Sequence, residues 1–234
     1  MDTTITRADV VIPVPTDSTG LHGPTKGQAR GAGWRRTSPG LYVPARVEPT
    51  LTAQRIVEAW AGAPQGTAVT GWAALHWLGA EWFPGTASDR SLLPVPLALG
   101  DRQHTPRRPG VLPCHEWLFD DDVRESDGLP LTRPERSAVA EMVRARTFEE
   151  AVQVADMAVG SGVMTLPELI EYTERLRGRP RSRRLLSAVG EARENVWSPM
   201  ETTLRLHWLT LRPAAHLLCN TPILSTAGQL DSTC

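Results

Sequence analysis

Glu201 is the residue whose type and setting first suggest chemistry. It stands three residues after Ser198 in the run Ser198-Pro199-Met200-Glu201, which opens a helical stretch from Thr202 to Leu211. A serine N-cap with a glutamate at the third helical position is a capping box, and Pro199 occupies the favoured first position. Arg205, one turn further on, can pair with Glu201. The same carboxylate can also serve as a ligand for a divalent metal ion. Both readings stay open.

The other chemistry-bearing groups are arginines. Arg35 and Arg36 lie on a β-prone run that the Ser38-Pro39-Gly40 turn folds into a hairpin, with Tyr42 on the returning strand. There they can grip phosphate or line a solvated face. Arg177, Arg179, Arg181, Arg183 and Arg184 form the densest basic run, at the start of a helix from Ser182 to Ala192. It suits contact with a nucleic-acid backbone or a solvated helix start. No aromatic residues interleave it, which argues against a stacking platform for single strands.

Several chemistries are excluded or weakened. His104, His115, His207 and His216 make no ligand pattern, and His216 with Cys219 lacks two further zinc ligands. No GxSxG elbow is present. Gly160-Ser161-Gly162 lacks the lysine of a phosphate loop. Asp120-Asp121-Asp122 lacks the alternation of a calcium loop and reads as a solvated loop. Cys114, Cys219 and Cys234 have no CxxC spacing and read as free thiols of a reducing cytoplasm.

Composition sets the frame. A chain of 234 residues with 41% hydrophobic and 22% charged residues can bury a core as one large or two small domains. The net charge of −1 excludes a uniformly basic surface but not a basic stripe. Lys26 is the single lysine, so nearly every cation is arginine. No signal peptide and no run of about 18 apolar residues is found, so no membrane span is expected.

The elements that must position these groups follow from spacing. Residues 1–33 are too often punctuated by Pro and Gly for a helix and predict a flexible arm. After the hairpin, Ile56, Val57 and Trp60 predict a helix over Thr52 to Ala61. Thr70 to Leu78 predicts a buried helix with Thr70 as cap and Gly79 at its end. Trp72, Trp77, Trp82 and Phe83 are expected in the core. Leu92 to Leu99 and Val111 to His115 read as strands, with Pro94 and Pro96 pushing the first to a sheet edge. Leu129 to Leu131 reads as a short extended piece. From Thr132 the period becomes helical. Thr147-Phe148-Glu149-Glu150 and Thr165-Leu166-Pro167-Glu168 are capping boxes before apolar helices. In the last helix Met200, Leu204, Trp208 and Leu211 share one stripe and read as core.

Gly33 to Pro44 (GWRRTSPGLYVP) resembles the wing hairpin of an actinobacterial family that joins an AbiEi-like antitoxin region to a very-short-patch-repair-like endonuclease domain. Val69 to Leu78 is similar to its next helix, and Asp127 to Arg136 (DGLPLTRPER) to its DGLPvT-x-x-x-R segment. Trp197 to Arg205 resembles the SxxE-x-x-xR opening of the nuclease domain, and Leu218 to Ile223 its first core strand. The resemblance runs from about Gly23 to Gln229. It implies a PD-(D/E)XK core in which Glu201 is the helix acid and Mg²⁺ activates water against a phosphodiester. After Leu230 the family continues into the PD turn and the E-x-K strand, whereas this sequence reads Asp231-Ser232-Thr233-Cys234. The expectation is a C-terminally truncated and catalytically incomplete member. Thr25 to Gly33 is short and glycine-rich, so the wing is expected without a recognition helix.

The sequence therefore predicts an α+β protein: an arm over 1–33, a hairpin, helices and small sheet over 34–132, helices over 133–194, and an endonuclease-like remnant over 195–234. The expected function is association with DNA in the cytoplasm, through Arg35, Arg36, Arg181, Arg183 and Arg184. Glu201 is the one catalytic and metal candidate. The alternatives are a non-enzymatic AbiEi-like regulator that binds its own promoter, with a toxin encoded nearby as partner, and a decayed gene product.

Overall fold

The computed structural model of the chain describes residues 5–99, 108–115, 118–212, 217, 219 and 220. The turn at Ser38-Pro39-Gly40 folds the chain back as its composition requires. Strand β2 (Trp34–Ser38) pairs antiparallel with β3 (Leu41–Pro44), Arg35 opposite Val43 and Arg36 opposite Tyr42, with a bulge between Arg36 and Ser38. A short β1 (Val14–Pro15) takes the other edge of β3, giving a sheet of order β1-β3-β2. The described part of the expected arm is thus fastened. The Thr6 N–H donates to Asp127 O at 3.1 Å, and the Gln54 amide satisfies both backbone groups of Val11 at 2.8 and 2.9 Å. The Arg7 guanidinium lies 4.5 Å from the centre of the Trp77 ring. A segment without its own period is ordered here by polar side chains of the body, which periodicity does not record.

Between helices α1 (Thr52–Ala61) and α2 (Gly71–Trp77) runs β4 (Ala68–Val69). Strands β5 (Val95–Ala98), β6 (Val111–Cys114), β7 (Val123–Ser126) and β8 (Leu129–Thr132) complete a mixed sheet of order β6-β5-β4-β8-β7. Pairing is parallel for β5–β6 and β4–β8, and antiparallel for β4–β5 and β7–β8. Strand β5 is interior, not at the edge its prolines suggested. Val95 and Leu99 donate toward β6, so the alternate residue Pro96 faces β4. There its carbonyl accepts the Thr70 N–H at 3.1 Å, and β4 has already ended, so the missing proline N–H costs no ladder bond. Strand β7 was not expected. The turn Asp127-Gly128, both at positive φ (52° and 77°), folds it onto β8.

Ile56, Val57, Val69, Leu75, Leu97, Leu129 and Leu131 are buried. Each contributes about 1.5–3 kcal/mol by leaving water. Trp72, Trp77 and Phe83 are buried as expected, but Trp82 is about half exposed. Thr70 does not cap α2 with its side chain. Its hydroxyl instead accepts from Thr132 Oγ1 at 2.8 Å, within a buried group that also holds Ser137. Asp122, read as part of a solvated loop, is fully buried. Its Oδ2 accepts the Phe119 N–H at 2.8 Å and stands 3.9 Å from Arg136 Nε.

Helix α3 (Pro134–Arg144) follows, then α4 (Phe148–Gly160), α5 (Leu166–Arg175), α6 (Ser182–Glu191) and α7 (Pro199–Leu211). The boxes at Thr147/Glu150 and Thr165/Glu168 are closed in both directions. Met142, Val152, Ala155, Leu169, Leu185 and Val189 are buried among these helices. The architecture is α+β. The chain divides into two compact units, residues 1–140 and 141–234, a division that does not coincide with the expected boundaries at 33, 132 and 194. No helix among the described residues is long and apolar enough to cross a membrane.

Candidate functional site

Helix α7 presents its polar side inward. Its buried residues are Thr202 and Arg205, three apart on one face. Met200, Leu204, Trp208 and Leu211, expected as core, are 72%, 66%, 47% and 64% exposed, and Trp197 just before the helix is 65% exposed. The spacing identified a shared stripe correctly but assigned it to the wrong side. The reason is Asp156 on α4, whose side chain is 0% exposed. Its Oδ2 accepts the Thr202 hydroxyl at 2.6 Å and Arg205 Nη2 at 2.6 Å, and its Oδ1 accepts the Arg193 N–H at 2.8 Å. Arg205 Nη1 donates to Glu191 O at 2.6 Å. A buried carboxylate without partners is costly, so the α7 face that carries a hydroxyl and a guanidinium is drawn onto α4. Burial pushes the Asp156 carboxyl up from its ordinary value, against the pull of Thr202, the Arg193 N–H and Arg205.

Arg205 therefore pairs with Asp156, not with Glu201. Glu201 caps its own helix. Ser198 Oγ accepts the Glu201 N–H at 3.3 Å and donates to Glu201 Oε1 at 3.0 Å. Glu201 Oε2 accepts the Trp197 N–H at 3.1 Å and the Asn220 amide at 2.7 Å. The same amide donates to Asn195 O at 2.7 Å, which ties Asn220 to the start of the helix. Partial burial works to raise the Glu201 carboxyl, but the donors from Trp197, Asn220 and Ser198 outweigh it and hold it below its usual value. Burial pushes the nearby Cys219 thiol up.

Among the described residues the groups around Glu201 do not make up a magnesium site. A Mg²⁺ site of this kind takes two or more oxygen ligands with free lone pairs. Glu201 Oε2 accepts two donors and Oε1 one, which leaves a single oxygen with a free lone pair, and Asp156 is enclosed by its own partners. Among the described residues no group of three or more His, Cys, Asp or Glu is arranged to hold a metal. The strand expected from Leu218 to Ile223, His104, His216 and Asp231 lie outside the described residues, apart from Cys219 and Asn220.

The arginines separate by their partners. Arg35 makes a two-pronged pair with Glu58 of α1, at 2.9 and 2.6 Å, and so holds the hairpin on that helix. Arg36 is exposed, and among the described residues only its Nε is engaged, at 3.2 Å from Ser38 O. In the second unit Arg177 pairs with Glu174. Arg184 Nη2 donates to Ala145 O and Thr147 O at 2.8 and 2.6 Å, bracing the turn between α3 and α4. Arg181 and Arg183 are exposed, and their side chains meet no acceptor among the described residues. Arg181 is the N-cap of α6, at φ 68°, and offers the first turn no side-chain acceptor.

Spacing missed Asp156, although a signal was present. Val152, Ala155, Asp156 and Val159 recur at helical spacing, which puts an acid on the buried side of α4. Fold and site together define an α+β protein with a capped, outwardly apolar helix and exposed arginines at a helix start. No protein-family model matches the chain, and no curated protein matches it. The crystal structure of the RV2827C protein from Mycobacterium tuberculosis aligns with a TM-score of 0.41 at 17% identity. That alignment covers 82% of this chain and 67% of the other, a likeness too distant to carry an argument about function.

Proposed function

We propose that this protein associates with double-stranded DNA through backbone phosphates and does not cleave it by itself. The observation that carries the reading is the start of α6. Arg181 and Arg183 project there without acceptors among the described residues, at a helix N-terminus that lacks a capping side chain. A helix N-terminus favours negative charge, and arginine binds phosphate in a forked geometry. Arg36 offers a further contact on the hairpin of the other unit. The resemblance to wing-bearing, endonuclease-domain proteins agrees with this, and the use of Glu201 in the α7 cap, with no second carboxylate beside it among the described residues, favours a non-catalytic role. The regulator form of the reading adds the protein's own promoter as target, a toxin encoded alongside as partner, and the cytoplasm as location.

The test is fluorescence anisotropy with duplex DNA across a salt series. Binding is expected to weaken steeply with salt. Arg181→Ala with Arg183→Ala is expected to lower the magnitude of the log K against log salt slope by about 2, since each lost phosphate contact removes about 0.9. Unchanged slopes in that variant and in Arg36→Ala would sink the reading. Promoter and random duplexes bound equally would remove its regulator form. Mg²⁺-dependent cleavage that disappears in Glu201→Ala would overturn the non-catalytic part.

A further inference from the structure

The first unit holds a cavity of about 920 Å³ between the hairpin tip, α1 and the β5–β6 side of the mixed sheet. Its size falls within the range of small-molecule sites. Leu92, Leu93, Val95 and Val111 give it apolar walls. Its charges do not balance. Among the described lining residues the one acid, Glu58, is neutralised by its two-pronged pair with Arg35. Arg55 and Arg108 also line the cavity, and among the described residues neither meets a carboxylate.

Both arginines are held in place by main-chain carbonyls. Arg108 Nη2 donates to Ala59 O at 2.8 Å, while its buried Nε has no partner. Arg55 donates to Gly85 O at 3.1 Å and to Leu93 O, with its guanidinium 5.5 Å from the centre of the Trp72 ring. Beside Arg108 stands Ser38, 8% exposed, whose hydroxyl also lacks a partner. Gly62 makes this approach possible. A Cβ there would come within 2.0 Å of Arg108 Nη1 and 2.7 Å of Ser38 Oγ. Partly buried cations without counter-ions and a buried hydroxyl without a partner are both unfavourable in isolation, and an anion among them relieves both.

We propose that this cavity binds a small organic anion, with an oxyanion head at Arg108 and Ser38, Arg55 adding positive charge to the wall, and an apolar body against Leu93, Val95 and Val111. The site is separate from the arginines of α6 and does not rest on DNA binding. A carboxylate and a phosphate monoester share the required chemistry, and the probes below distinguish them.

The experiment is isothermal titration calorimetry of the full chain with phenyl phosphate, benzoate, inorganic phosphate and benzyl alcohol. At least one of the first two is expected to bind at a single site, and the tighter one assigns the head. Benzyl alcohol is expected to be weaker by at least about tenfold for want of a charged head. Inorganic phosphate is expected to be weaker by at least about tenfold for want of an apolar body. Arg108→Met and Gly62→Ala are each expected to weaken the better probe by at least about tenfold. Because those two variants disturb packing, Ser38→Ala is the second arm. It removes a buried hydroxyl that bonds to nothing, so the melting temperature does not fall, and binding weakens by about threefold or more. The proposal is overturned if neither phenyl phosphate nor benzoate binds, if benzyl alcohol binds as well as they do, or if Ser38→Ala and a folded Arg108→Met bind like the parent.

Discussion

Replacing Arg205 by Met tests why α7 faces the way it does. The substitution keeps most of the side-chain length and removes the guanidinium that sits 2.6 Å from Asp156 Oδ2. Two unit charges about 4 Å apart attract by about 4 kcal/mol at an effective dielectric near 20. Asp156 would keep the Thr202 hydroxyl and the Arg193 N–H, which soften the loss. Removing one member of a buried pair costs about 3–5 kcal/mol, so a cost of about 3 kcal/mol at neutral pH is expected. The pH dependence has a definite sign. The folded carboxyl already lies above its ordinary value, so the folded state binds more protons and stability falls as pH rises through that window. Without Arg205 the carboxyl rises further, and the cost is expected to be smaller at pH 5 than at pH 7. The assay is urea denaturation at both pH values, with amide hydrogen exchange on α4 and α7 to localise the change. Asp156→Leu combined with Arg205→Met is expected to recover most of the loss, because no charge is left buried. A cost below about 1 kcal/mol in Arg205→Met, with no coupling to Asp156, would refute the account of α7.

Other expectations follow from neighbouring geometry. Glu201→Ala is expected to cost about 1 kcal/mol through loss of the cap. Because the folded Glu201 carboxyl is depressed, its contribution is present above the unfolded-state value and lost as pH falls through the folded one. The variant should therefore show a flatter stability profile in the acid range, measured by urea titration. Leu204→Glu is expected to change stability by less than about 0.5 kcal/mol, because that side chain is exposed. A large loss on thermal melting would return the stripe to the core. Gly85→Ala is expected to lower stability by about 2–4 kcal/mol. Its φ of +75° disfavours a side chain, and a Cβ would meet the Trp72 ring at 2.4 Å.

Local chemistry accounts for what was legible in the sequence. The hairpin at Ser38-Pro39-Gly40, the boxes at Thr147 and Thr165, the Ser198 cap and the buried positions of α4 rest on residues within a few positions of one another. The α+β class follows from the change of period near Thr132. What the tertiary structure decided involves partners far apart in the chain. Pro96 is tolerated inside a sheet because β4 ends opposite it. Arg7, Val11 and Val14–Pro15 are held by Trp77, Gln54 and β3. Arg35 and Arg184 are engaged by Glu58 and by two main-chain carbonyls, while Arg36, Arg181 and Arg183 face outward. Above all, periodicity shows which residues of a helix share a face, but not which face turns inward. For α7 a buried carboxylate 49 residues away marks the inward face: Asp156 takes Thr202 and Arg205, and Met200, Leu204, Trp208 and Leu211 are left outside.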